Sequence, residues 1–217
     1  MPKKDQRLLI VWVVSVLCAG VLLRIWGLDD KLIWHDEVYT SIFAAGYSGS
    51  DWGDALYTGV PLNVADVLHF QTHNPERSVG DTILALAQDE PQHPPLYYVL
   101  ARSWVSLTGS GIGGLRVLSA LLSLLGLPAM YWFCRELFAS RRVAWTGVML
   151  LASSPFFVLY AQEAREYALW AVLLLACSAA LLRAARLSSD PERSRLECLR
   201  AWLVYSALTT GALYTSF

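Results

Sequence analysis

The sequence predicts an all-helical protein that crosses a membrane several times, and three observations carry that expectation. Hydrophobic residues make up 55% of the 217-residue chain and charged ones 16%, with a mean hydropathy of +0.41, which is more apolar than a soluble domain. Five apolar stretches come near the roughly 20 residues that a helix needs to cross a hydrocarbon core. Lysine and arginine gather in short segments around those stretches, while acidic residues gather in one long loop.

The first stretch, Leu8–Leu28, follows Met1-Pro2-Lys3-Lys4. It outruns the about 7–15 apolar residues of a cleaved signal and has no small-residue cleavage site, so it reads as a retained signal anchor. Leu115–Phe133, Val143–Tyr160, Tyr167–Leu182 and Ala201–Phe217 follow. Pro94–Leu107 is apolar as well, but short and with Arg102 in its middle. Charge decides its placement, because loops left in the cytoplasm are rich in Lys and Arg. With Lys3, Lys4 and Arg7 inside, a surface-bound Pro94–Leu107 delivers Arg135, Arg141 and Arg142 inside, and then Arg183, Arg186, Arg193, Arg195 and Arg200. A crossing would put both clusters outside. The segment is therefore expected as an amphipathic helix at the outer surface, with Trp104 and the tyrosines in the interface.

Three regions result. Residues 1–28 form a cytoplasmic tail and the first transmembrane helix, 29–114 an external loop with juxtamembrane helices, and 115–217 four further transmembrane helices. The chain stops within an apolar run, which points to the amino-terminal part of a longer transmembrane domain. The external loop holds 11 of the 18 acidic residues against only Lys31, Arg77 and Arg102, a composition unlike a plain connector. Within it, apolar residues of Asp51–Phe70 and Val79–Gln88 recur at helical spacing, predicting short helices on the membrane face. A net charge of -1 without a basic, aromatic-interleaved stripe gives no nucleic-acid partner. Cys18, Cys134 and Cys177 fall in or beside apolar stretches and Cys198 in a basic loop, so structural cysteine is the reading.

Three motifs could carry chemistry. In Trp34-His35-Asp36-Glu37, adjacent carboxylates follow the first helix, and helical geometry would turn them about 100° apart and so give them different jobs. A carboxylate partly shielded from water is suited to take a proton from an acceptor hydroxyl or amine. The plainer reading is that Asp36 caps a helix over Glu37–Ala45, with His35 a solvated interfacial residue. In Asp89-Glu90-Pro91-Gln92-His93-Pro94-Pro95, the Pro-Pro step stiffens a helix start, and Glu90 with His93 is a candidate for a divalent metal or a phosphate. The alternative is an ordinary loop-to-helix junction. In Gln162-Glu163-Ala164-Arg165-Glu166-Tyr167, charge at membrane level needs an aqueous cavity or a partner, and Arg165 has the planar fork that binds phosphate. The alternative is a tight turn pairing Arg165 with a neighbouring glutamate. By the charge-based topology all three motifs share the outer side and can meet in one cavity. Arg24 and Arg116 add positive charge at that level, each singly read as snorkelling to headgroups.

On Trp34-His35-Asp36-Glu37, His93-Pro94-Pro95-Leu96-Tyr97-Tyr98, Leu115-Arg116-Val117-Leu118-Ser119-Ala120 and Glu163-Ala164-Arg165-Glu166-Tyr167-Ala168-Leu169, the chain resembles the GT-C-fold membrane glycosyltransferases that use polyprenyl-phosphate sugars. The branch in question contains aminoarabinose transferases and protein mannosyltransferases. The resemblance implies a GT-C-like helical bundle, an inverting hexosyl or pentosyl transfer at the outer face of the cytoplasmic membrane, and a lipid, glycan or protein acceptor. It places the catalytic base or acceptor-positioning group on Asp36, a carrier-phosphate contact on His93, and the second acid on Glu163 or Glu166. Glu37 joins the catalytic group, Arg165 and Arg116 join His93 on the donor phosphate, and Glu90 with His93 is the metal candidate. A lysine commonly precedes Pro-Pro in the aminoarabinose branch; His93 departs from that. The rival classes are a transporter or flippase component and a non-catalytic scaffold of envelope glycan assembly.

Overall fold

The computed structural model describes residues 3–109 and 111–216. Met1 and Pro2 of the expected cytoplasmic tail, Phe217, and the side chains of Lys3, Lys4 and Arg7 lie outside what is described. The described residues form twelve α-helices and no strand. The chain divides into two compact units: Met1–Trp26, Ala120–Gln162 and Tyr167–Ala212 form one, and Gly27–Ser119, Glu163–Glu166 and Leu213–Phe217 the other.

The first unit is built from α1 (Lys3–Ile25), α8 (Gly126–Phe138), α9 (Arg141–Ser153), α10 (Pro155–Ala161), α11 (Tyr167–Ser188) and α12 (Arg195–Leu213). In it α8 packs against both α9 and α11, and α1 against α9. Among the described residues two helical stretches are long and apolar enough to cross a membrane by themselves, Ile112–Phe138, which runs into α8, and Tyr167–Ser188. The apolar part of α1 is the shorter Ile10–Ile25, and α12 opens on Arg195, Glu197 and Arg200.

Val143–Tyr160, expected as one span, is instead a broken pair, α9 and α10 meeting at a 59° bend. Pro155 has no N–H to offer the Leu151 carbonyl, and Ser154 is extended at φ -68, ψ 119. The orphaned carbonyls find Arg24. Its guanidinium donates to Leu151 O (3.1 Å), Ala152 O (2.9 Å) and Gly20 O (2.7 Å), and it is 1% exposed. The snorkelling expected of Arg24 is thereby corrected: a buried arginine caps a helix end. The approach needs Gly20, where a Cβ would lie 2.5 Å from the Ala152 carbonyl oxygen.

The second unit contains α2 (His35–Ala45), α3 (Gly49–Leu56), α4 (Val64–His69), α5 (Val79–Asp89), α6 (Leu96–Thr108) and the start of α7 (Ile112–Leu124). The helices expected in Asp51–Phe70 and Val79–Gln88 form, the first as two, α3 and α4, separated by Gly59-Val60-Pro61. Ser48 and Ser78 start α3 and α5 by accepting from the backbone N–H three residues on. Helix α2 packs on α5 and α6, and ends at Gly46 in the left-handed region (φ +90). Helix α6 buries Tyr97, Tyr98, Ala101, Arg102 and Val105, the one-sided pattern of an amphipathic helix. Arg102, in the middle of the segment, is 3% exposed and donates to the carbonyls of Ala44, Ala45, Asn74 and Arg77. It thus ties the C-terminal end of α2 to the loop before α5.

Candidate functional site

All three motifs contribute to the second unit: the first and second lie in Gly27–Ser119, and the third supplies Glu163–Glu166. Helix α2 begins directly after Trp34, whose extended backbone (φ -85, ψ 148) makes it the N-cap. Asp36 is therefore inside the first turn and does not cap the helix. Its expected divergence from Glu37 is realised, with the Asp36 side chain 33% exposed and that of Glu37 fully buried.

Glu37 and Arg116 form a saturated clasp. Glu37 Oε1 accepts from Arg116 Nε (2.8 Å) and Ala164 N (2.8 Å), while Oε2 accepts from Arg116 Nη2 (2.7 Å) and Trp34 N (3.0 Å). Arg116 also donates to the carbonyls of Leu28, Lys31 and Leu32. These bonds account for all five guanidinium N–H groups. Arg116 is 1% exposed, so its expected snorkelling is corrected too, and no donor remains for a phosphate. Burial opposes ionisation of Glu37 most strongly, yet the hydrogen bonds from Arg116, Ala164 and Trp34 outweigh it and hold the carboxyl below the usual range.

A second cluster surrounds Arg165. Its Nη1 donates to the Tyr98 hydroxyl (3.0 Å), and its Nη2 donates to Glu166 Oε1 (3.2 Å) and stands 4.0 Å from Asp36 Oδ2. His93 completes the group, with Nδ1 3.6 Å from Glu166 Oε1 and Nε2 4.0 Å from Glu90 Oε2. A tight turn directs these side chains, Arg165 N donating to Glu163 O (2.8 Å). On the other side, His93 N donates to Glu90 O just before the Pro-Pro step that opens α6. Burial, with Glu166 nearby, pushes the Tyr98 phenol far above its ordinary range, so it stays protonated.

The two glutamates that the sequence left as alternatives are separated by their partners. Glu166 sits with Arg165, His93 and, through Arg165, Asp36. Glu163 pairs instead with Lys31 Nζ (3.0 Å). Each keeps one buried oxygen, Oε2, without a hydrogen bond. Tyr98 and Lys31 were not foreseen as partners. Tyr98 stood in a recognised motif without a role, and Lys31 was only one of three bases in an acidic loop. His35 is exposed, its ring against Tyr39. Glu90 and His93 gain no third ligand: among the described residues no group of three or more His, Cys, Asp or Glu stands ready for a metal. Two side chains are fewer ligands than a protein usually gives a resident metal ion, and no step is assigned to one.

Apolar helices of spanning length fit a membrane protein, and in the second unit Arg165 and Glu166 are buried beside the part-exposed Asp36 and His93, a polar grouping suited to binding or reaction. The model of the dolichyl-phosphate-mannose-protein mannosyltransferase family matches residues 92–215, more than half of the chain, and the chain belongs to that family. The matched region includes His93, Arg116, Glu163, Arg165 and Glu166, while Asp36 and Glu37 precede it. No curated protein and no solved structure matches the chain. Membership supports a membrane glycosyltransferase that takes a lipid-linked sugar donor and an acceptor.

Proposed function

We propose that the protein, with a GT-C-like helical bundle, transfers a hexosyl or pentosyl group from a polyprenyl-phosphate donor to a lipid, glycan or protein acceptor. The reaction takes place at the outer face of the cytoplasmic membrane and inverts the anomeric carbon. In this arrangement residues 1–28 are the cytoplasmic tail and first span, 29–114 the external loop, and 115–217 four further spans, the second of them broken before Pro155.

Asp36 is the catalytic base. It takes the proton of the acceptor hydroxyl or amine as that atom attacks the anomeric carbon, and the bond from that carbon to the phosphate oxygen breaks in line, releasing polyprenyl phosphate. Negative charge grows on the departing phosphate, and Arg165 and His93 supply positive charge and N–H donors where it develops. Glu166, more than Glu163, is the second functional acid, because it orients both Arg165 and His93. Tyr98 fixes the other arm of Arg165. Glu37 and Arg116 position the site rather than touch the donor: the clasp holds Ala164, and with it the turn that carries Arg165 and Glu166, against the start of α2.

The observation that supports this reading is the meeting of Asp36, His93, Arg165 and Glu166 from three separate segments. The test uses the full-length protein with labelled polyprenyl-phosphate sugars. Wild type transfers label, and Asp36→Asn loses about 10²–10⁴-fold, the usual worth of a general base. Label transport or retention without transfer by wild type would favour the transporter or scaffold classes instead.

A further inference from the structure

In the first unit, α8, α11 and α12 line a cleft of about 460 Å³. Arg183 from α11, Arg193 from the connecting loop and Arg200 from α12 line it, and Trp132, Leu187 and Val204 supply apolar wall. One acid, Glu197, also lines it. Glu197 is already engaged: its Oε2 accepts from Ser194 N and Oγ (3.1 Å each), and its Oε1 lies 3.9 Å from Arg193. Arg193 is further paired with Asp190 at 3.1 Å. The nearby Glu136 is held by Arg186 (2.7 Å) and by Trp132 Nε1 (3.3 Å), which also sets the edge of the indole at the cleft.

That leaves Arg183 and Arg200 as positive charge from two helices facing one cleft, with no carboxylate within ion-pair distance among the described residues. Arg183 belongs to Tyr167–Ser188, a helix of spanning length and hydropathy, where an exposed guanidinium near the end is stable at headgroup depth. Paired basic side chains above an apolar wall, between helices of a membrane protein, match the chemistry of a lipid with a charged head and hydrocarbon tails.

We propose that the cleft between α8, α11 and α12 binds one anionic phospholipid, its phosphodiester against Arg183 and Arg200 and its tails along the apolar wall. None of its lining residues belongs to the transfer site, so the proposal does not depend on the reaction assigned above.

The test is native mass spectrometry of the full-length protein in neutral detergent, titrated with dioleoylphosphatidylglycerol, with dioleoylphosphatidylcholine, or with inorganic phosphate. One phosphatidylglycerol is retained in preference to phosphatidylcholine, and inorganic phosphate does not displace it. Arg183→Gln/Arg200→Gln weakens retention about 30-fold, roughly fivefold for each charge removed. Arg141→Gln/Arg142→Gln, which alters basic residues lining a different groove, leaves retention unchanged. Equal loss in both double variants shows a diffuse basic rim and overturns the proposal. Displacement by inorganic phosphate overturns it as well, showing a simple anion site. Arg183→Gln alone, at an exposed position, gives the fivefold step if the double variant does not fold.

Discussion

Replacing Glu37 by glutamine tests the clasp on which the positioning of the site depends. The glutamine keeps the shape but removes the charge opposite Arg116, and it turns one of two accepting oxygens into an NH₂ that faces donors. Four hydrogen bonds converge on the native carboxylate, and both partners are buried, at 2% and 0% side-chain exposure. Removing one partner of such a pair costs about 3–5 kcal/mol, because the other charge is left buried and uncompensated. For a chain of this size that corresponds to a melting temperature lower by roughly 10 °C. The assay is thermal unfolding of the purified protein in detergent at pH 7, followed by tryptophan fluorescence. Because the folded Glu37 carboxyl lies below its ordinary value, its contribution is present above about pH 4.5 and is lost as pH falls through the lower folded value. Wild type should therefore approach the variant as the medium is acidified. A Glu37→Gln protein melting within about 2 °C of wild type at pH 7 would refute the reasoning.

Arg24→Leu leaves the carbonyls of Leu151 and Ala152 without their donor and should destabilise by about 2–3 kcal/mol, measured by the same melting curve. Gly20→Val forces a Cβ into the Ala152 carbonyl and should lower the melting temperature more than Gly53→Val, where a Cβ meets nothing within 4 Å. In the transfer assay Glu166→Gln should reduce kcat/KM at least tenfold more than Glu163→Gln, since only Glu166 contacts both Arg165 and His93. Arg165→Lys should lose transfer by about 10²-fold with the melting temperature held within about 3 °C, because a point charge cannot bridge Tyr98 and Glu166 as the planar fork does.

What was legible in the sequence is what depends on local periodicity. The divergence of Asp36 and Glu37 follows from helical geometry, and the one-sided burial of α6 from its apolar spacing. What was not legible depends on partners distant in the chain. Arg116 and Glu37 are 79 residues apart, and Arg24 caps carbonyls 127 and 128 residues away, so each looked like a lone charge near a helix end. Pro155 did carry a local signal for the break in Val143–Tyr160, but an apolar count over that stretch averages across it. Glu163 and Glu166 are equivalent in composition. Only the turn at Arg165 decides which of them faces His93 and which faces Lys31.

The central claim is that Asp36 and Glu166 serve one site, and a double-mutant cycle in kcat/KM for sugar transfer tests it most directly. Asp36→Asn and Glu166→Gln are assayed singly and together in the full-length protein. Residues that act as a unit are strongly non-additive, so the double variant should be no more than about threefold slower than the worse single one. Losses that multiply would place the two carboxylates in independent roles and contradict the account.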